Sequence, residues 1–197
     1  MKVVIVKYNA GNTRSVHFAL ERLGISAEVS DSPELIRSAD KVILPGVGQA
    51  ASAMAYLKQN ALNETIKHLT QPVLGICLGM QLLCKHSEEG DTECLGIFDQ
   101  DVIKLDSSNT PGMKVPHVGW NTLDSLHGTL FDGISEGSFM YFVHSYYVGI
   151  SEHTISRTDY TTTFSSAIHR NNFFGVQFHP EKSLRVGEQL LKNFLAL

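Results

Sequence analysis

Cysteine is scarce in this chain: among 197 residues there are three, Cys77, Cys84 and Cys94, an odd number with no C-x-x-C pair. That excludes a disulfide framework and a cysteine zinc site, so the thiols are expected to be free. Surplus positive charge is also missing. Sixteen Lys and Arg stand against 20 Asp and Glu, a net charge of -4, which leaves no broad cationic surface for a phosphate backbone and argues against nucleic acid as a partner. No apolar run has the length of a membrane span. The N-terminal "MKVVIVKYNAGN" turns after one short strand, unlike a signal peptide, so a soluble cytoplasmic protein is expected. None of the nine histidines shows ligand spacing such as H-E-x-x-H, and neither a metal nor a cofactor is expected. There is no internal repeat, low-complexity tract or linker. The length suits one domain over residues 1–197, able to bury a core without staples.

The first half alternates between apolar runs and helical periodicity. Val3 to Val6 reads as a buried strand. After the turn "NAGN" comes a helix with Val16, Ala19, Leu20 and Leu23 on one face and Gly24 as its C′ residue. A short strand spans Ala27 to Val29, and "DSPE" starts a helix, with Asp31 or Ser32 as cap and Pro33 near the first position. Val42 to Leu44 is a third run, "PGVG" a tight loop, and Ala50 to Leu69 a helical stretch broken near Asn60. Val73 to Ile76 is the fourth run, followed at once by a helix from Leu78 to about His86. Apolar runs separated by helices predict a parallel sheet covered on both faces. Beyond Leu95 the pattern becomes short strands and turns: "LGIF", "VIKL", "GWNTL", "FMYFVHSYYVGI", and a hairpin of "SSAIHR" and "FFGVQF" joined by "NN". A last helix starts at Leu184. The expectation is an α/β domain with an antiparallel annex.

The chemistry centres on "LGICLGMQ". Cys77 sits between glycines where a strand gives way to a helix, the setting of a nucleophile elbow. The helix start favours the thiolate and leaves the Leu78 N–H available to an oxyanion. A small buried residue at a strand end is the competing reading. A thiolate needs a base, and "GVQFHPEKS" offers His179 with Glu181 two residues on. In an extended stretch the two point to the same side, and Pro180 favours that extension. Glu181 would then orient the imidazole, as a third triad member does; alone, His-x-Glu is an ordinary surface pair. "GVGQAA" loosely fits a dinucleotide fingerprint, with Glu64 near the acidic position but inside a helix. Alternatively, the exposed N–H groups of this loop supply a second oxyanion donor. His17, His68 and His86 fall on expected helices as surface or boundary residues. His117 and His144, in apolar and aromatic segments, read as partly buried histidines rather than direct catalysts. Cys84 is expected in the core.

The combination of "GICLGMQ" and "FHPE" resembles the class I, triad-type glutamine amidotransferases, which hydrolyse glutamine to glutamate and ammonia. Within that class "LPGVG", "KVPHVGWN", "YFVHSYY" and "GVQFHPEKS" look like the glutaminase subunits of histidine biosynthesis, and the likeness covers the whole chain. It departs mildly at "NAGNTR", where relatives often carry another glycine and a leucine. The resemblance implies a three-layer flavodoxin-like fold with a mostly parallel sheet. It implies Cys77 as nucleophile, His179 as general acid/base and Glu181 as its partner, with Leu78 and Val47 or Gly48 as oxyanion donors. Gly48, Gln81, Ser145 and Tyr146 match positions that hold glutamine. Nothing in the chain is left over to consume ammonia, so the acceptor is expected on another chain. The partner in this family is a cyclase subunit with the form of a (β/α)8 barrel, which makes imidazole glycerol phosphate and the aminoimidazole carboxamide ribotide. Trp120, Asn121, Tyr141 and Lys182 are expected near that interface, although Trp120 also suits a core. A glutaminase of another pathway and a non-catalytic binding module of the same fold are the other readings.

Overall fold

The computed structural model describes residues 1–9, 11–108 and 110–197; Ala10, within the expected "NAGN" turn, lies outside the described residues. In chain order the elements are β1 (Val3–Val6), α1 (Thr13–Arg22), β2 (Ala27–Ser30), α2 (Pro33–Arg37), β3 (Lys41–Leu44), α3 (Ala50–Gln59), α4 (Leu62–Lys67), β4 (Val73–Ile76) and α5 (Leu78–Leu83). Then come β5 (His86–Ser87), β6 (Thr92–Glu93), β7 (Asp101–Lys104), β8 (His117–Thr122), β9 (Phe139–His144) and β10 (Tyr146–Val148). β11 (Thr154–Asp159), β12 (Thr163–Arg170), β13 (Phe173–Val176) and α6 (Leu184–Ala196) complete the order.

A seven-stranded sheet runs β11-β12-β13-β4-β3-β1-β2. It is parallel from β2 to β13 and antiparallel across β13, β12 and β11. Alternate residues of the central strands serve opposite faces, as period-2 geometry requires. Val4, Val6, Val42, Leu44 and Val73 pack with α2 to α5, while Val3, Ile5, Ile43, Leu74 and Ile76 pack with α1 and α6. Strands buried on both faces explain the unbroken apolar runs. Two smaller sheets, β10-β7-β5-β6 and the hairpin β8-β9, form the annex.

Ser32 is the cap of α2, its Oγ accepting the Leu35 N–H at 3.3 Å. Ala61, at φ +55°, separates α3 from α4 at the expected break. Two expectations fail for one reason. The helix after Cys77 ends at Leu83 rather than near His86, and "LGIF" is not a strand. The N–H groups of Leu95, Gly96, Ile97 and Phe98 donate to the carbonyls of Leu82, Cys84, Leu83 and Leu83 at 2.8–3.0 Å. "LGIF" therefore satisfies the carbonyls that the end of α5 leaves open, and His86 falls in β5 instead. "FMYFVHSYYVGI" also divides at Ser145, with β9 pairing to β8 and β10 to β7.

Candidate active site

The loops that follow β1, β3, β4 and β13 meet at the carboxyl ends of the parallel strands, where open α/β sheets place their crevices. At Cys77 the backbone takes φ +52° and ψ −108°, a conformation that is strained for any residue with a Cβ. Its N–H is tied to the Val176 carbonyl at 2.7 Å and its carbonyl to the Gln81 N–H at 3.1 Å. Glycines let the turn close. A Cβ on Gly79 would lie 1.9 Å from the Leu44 oxygen, and one on Gly75 would lie 2.7 Å from the Gly79 carbonyl carbon. The thiol is 6% exposed. It donates to the Val143 carbonyl at 3.6 Å and accepts from Gln177 Nε2 at 3.6 Å.

β13 lies beside β4 in register, so the chain that leaves it runs alongside Cys77. His179 is wholly buried. Its N–H donates to Tyr141 O at 2.8 Å and its carbonyl accepts from Ser183 Oγ at 2.6 Å. Its Nδ1 pairs with Glu181 Oε1 at 2.8 Å. The expected extension of His-Pro-Glu is not what joins them. Only His179 is extended, and Pro180–Lys182 forms a 3-10 turn closed by Lys182 N–H to His179 O at 3.0 Å. Proline's fixed φ suits a first helical position as well as an extended one, so the turn carries Glu181 back to the imidazole. Asn12, from the loop after β1, donates its side-chain amide to the same Glu181 oxygen. His179 Nε2 has no hydrogen-bond partner among the described residues. Burial alone would push the imidazole down, but the Cys77 sulfur and the Glu181 carboxylate outweigh it and raise the pKa to about 10. A sulfur nucleophile, an imidazole that holds its proton and an orienting carboxylate are the parts of acyl transfer through a thioester.

Cys77 opens on a pocket of about 260 Å³. Val47, Gly48, Leu78, Gln81, Ser145 and Tyr146 line it together, joined by Glu89, Val143 and His144, which sequence reasoning missed. Gln81 Nε2 donates to the Tyr146 carbonyl at 2.9 Å and to Gln177 Oε1 at 3.0 Å. Glu89 Oε2 accepts the Ala50 N–H at 2.7 Å; nothing local in "SEEGD" marks it, because it arrives through the fold. The Leu78 N–H is not free, since it donates to the Gly46 carbonyl at 3.3 Å. The same loop is held by the Tyr8 hydroxyl on Pro45 O and by Gly11 N–H on Val47 O at 3.1 Å. Glu64 belongs to α4, paired with Lys67 at 3.2 Å, and not to a strand end as a dinucleotide site requires.

Trp120 and Tyr141 face each other across the β8-β9 hairpin, ring centroids 5.7 Å apart, with Lys182 Nζ 5.9 Å from the Tyr141 ring. Trp120 is 48% exposed and so is no core residue. Asn121 points to the opposite face, donating to Asp159 O at 2.9 Å.

The family model "Glutamine amidotransferase class-I" matches residues 4–197. The chain is 55% identical to the imidazole glycerol phosphate synthase subunit HisH of Bacteroides fragilis, over all of both chains. It is 52% identical to the HisH subunit of Idiomarina loihiensis, over all of this chain and 98% of that one. Among solved structures it resembles a glutamine amidotransferase with a TM-score of 0.75 at 20% identity, covering 98% of this chain and 97% of that one. At that identity the likeness is one of fold alone.

Proposed function

The chain belongs to the class-I glutamine amidotransferase family, and from that premise we propose that it is the glutaminase subunit of imidazole glycerol phosphate synthase, taking residues 1–197 as one amidotransferase domain. Glutamine enters the Cys77 pocket with its α-ammonium toward Glu89 and its carboxamide at the sulfur. The Cys77 thiol passes its proton to His179 Nε2 as the sulfur attacks the carboxamide carbon, His179 gives that proton to the departing ammonia as the C–N bond breaks, and a γ-glutamyl thioester remains. Water deprotonated by His179 then releases glutamate. Glu181, held by Asn12, keeps Nδ1 of the imidazole engaged so that Nε2 does this work.

The oxyanion of each tetrahedral intermediate needs the Leu78 N–H and an N–H from Val47 or Gly48. With Gly46 O on Leu78, the "PGVG" backbone has to turn before the first step. The ammonia passes to a partner subunit, which we take to be a (β/α)8 cyclase docked on the exposed Trp120, Tyr141 and Lys182 face. No helix among the described residues is long and apolar enough to cross a membrane, and we place the complex in the cytoplasm.

One observation carries the reading. The buried His179 presents an Nε2 without a hydrogen-bond partner among the described residues and answers electrostatically to both Cys77 and Glu181. The test is a glutaminase assay of wild type and Cys77→Ala, each with and without the cyclase and its nucleotide. Glutamate release that survives Cys77→Ala would sink it.

A further inference from the structure

His144, which lines the Cys77 pocket, and His117 behind it are two buried imidazoles to which the reaction above gives no part. Their nitrogens meet, His117 Nδ1 to His144 Nε2, at 3.0 Å. The direction of every bond around them follows from backbone groups whose polarity is fixed. His144 Nδ1 lies 2.8 Å from the Tyr146 carbonyl. A carbonyl only accepts, so this nitrogen carries the hydrogen. In a neutral ring Nε2 is then an acceptor, and His117 Nδ1 is its donor. His117 Nε2 must accept in turn, and Asn121 Nδ2 stands 3.4 Å from it. The Asn121 amide cannot be reversed: its oxygen takes the Thr122 N–H at 2.8 Å and its nitrogen gives to Asp159 O at 2.9 Å. The His117 ring is clamped between Tyr160 and Phe142, with centroids 3.9 and 4.9 Å away. Burial lowers the pKa of His117 to about 4 and of His144 to about 3, so both rings are neutral near pH 7.

We propose that Asn121, His117 and His144 form a one-way hydrogen-bond chain, with both rings in the Nδ1–H tautomer, that fixes the Tyr146 carbonyl against Gln81. This makes His117 and His144 positioning residues for glutamine, a role that rests on the glutaminase reading. Tyr146 O is the shared acceptor of His144 Nδ1 and Gln81 Nε2, and Gln81 continues through Gln177 to the Cys77 sulfur. Ser145 lies where the backbone leaves β9 for β10 and Tyr146 opens β10, and the ladder holds this turn on β7, with Tyr146 opposite Lys104 and the Leu105 N–H on Ser145 O at 2.8 Å. The hydrogen-bond chain pins the same turn to the hairpin that carries Trp120.

Two measurements decide this. Nitrogen-15 spectra of the wild-type protein, in complex with the cyclase, report the tautomer of each ring. Both His117 and His144 should show a pyrrole-type Nδ1 and a pyridine-type Nε2, and an Nε2–H ring at either position overturns the chain. In kinetics of the complex, His117→Phe keeps the ring stack but removes the donor. The loss of one buried hydrogen bond should raise the KM for glutamine about five- to tenfold, with kcat within about twofold. His117→Asn, which restores a donor near the Nδ1 position, should recover most of it. Cyclase turnover on added ammonium salts should stay at the wild-type level, showing an intact complex. A wild-type KM in His117→Phe would remove the positioning role. A wild-type complex without glutaminase activity would instead fail the proposed function, and the tautomers would still decide the chain.

Discussion

The Leu78 N–H and the Gly46 carbonyl are hydrogen-bonded to each other at 3.3 Å, so the loop fills the position that the oxyanion of an intermediate would take. Losing one oxyanion donor costs about 10²–10³ in rate. The isolated chain should therefore hydrolyse glutamine slowly and accelerate by that order when the cyclase turns the loop. Tyr8, whose hydroxyl holds Pro45 O, resists this turn. In Tyr8→Phe the unstimulated rate should rise and the stimulation ratio fall, as read by glutamate release with and without the partner.

His179 is raised by Cys77 and Glu181 against the opposing pull of burial. Removing either partner leaves burial less opposed, so the pKa must fall in both Cys77→Ala and Glu181→Gln, which imidazole NMR titration would read. Glu181→Gln should also lower kcat by about 10²–10⁴. An unmoved His179 titration in both variants would contradict the electrostatic account.

Glu89 brings a carboxylate to a pocket otherwise lined by uncharged side chains. If it receives the α-ammonium of glutamine, Glu89→Gln should raise KM about tenfold or more, in line with a charge-assisted bond. Analogues lacking the amino group should lose their disadvantage against the variant. Equal losses for both ligands would point to Ala50 and the start of α3 instead, because Glu89 also holds that N–H.

The central strands were legible because burial on both faces leaves nothing but apolar residues in Val3–Val6 or Val73–Ile76. Cys77 was legible because its strained turn demands glycines within two residues on either side. His179 and Glu181 were paired correctly, but through a 3-10 turn where an extended segment was expected, since proline permits both. The end of α5 was misread because the residues that satisfy its carbonyls lie a dozen positions later. Glu89, Asn12 and Tyr8 carry no local signal; Tyr8 and Asn12 reach the site from the loop after β1 when parallel pairing gathers the strand ends, and Glu89 reaches it from the β5-β6 turn of the annex, held on the start of α3.

The two neutral histidines lower stability on the acid side, and His179 lowers it on the alkaline side, together with the buried Cys84, Cys94 and Tyr8, which burial likewise pushes up. His117 and His144 have folded pKa values of about 4 and 3, below the unfolded value near 6.5. The unfolded state therefore binds more protons as pH falls below about 6.5, and each ring costs about 1.4 kcal/mol per pH unit until its own folded pKa is reached. His179 has the opposite sign: its stabilisation is complete below about 6.5 and is lost as pH rises toward 10. Urea unfolding from pH 7 to pH 5 should show the acid-side slope in wild type, and His117→Phe should reduce it by about one proton.

Trp120 is half exposed on the outer face of the β8-β9 hairpin, beside Val118 and Phe139, which are 56% and 57% exposed. A face of large apolar side chains rimmed by Lys182 has the composition of an interface core. Truncating an exposed residue removes little from the fold, whereas truncating an aromatic anchor weakens association by about 2 kcal/mol or more. Trp120→Ala should therefore leave the unfolding midpoint of the isolated chain within about 2 °C of wild type, while its Kd for the cyclase rises about 30-fold or more. Calorimetric titration of the two subunits measures the second quantity. An unchanged Kd would move the docking face away from this hairpin and remove the reason for its exposed apolar side chains.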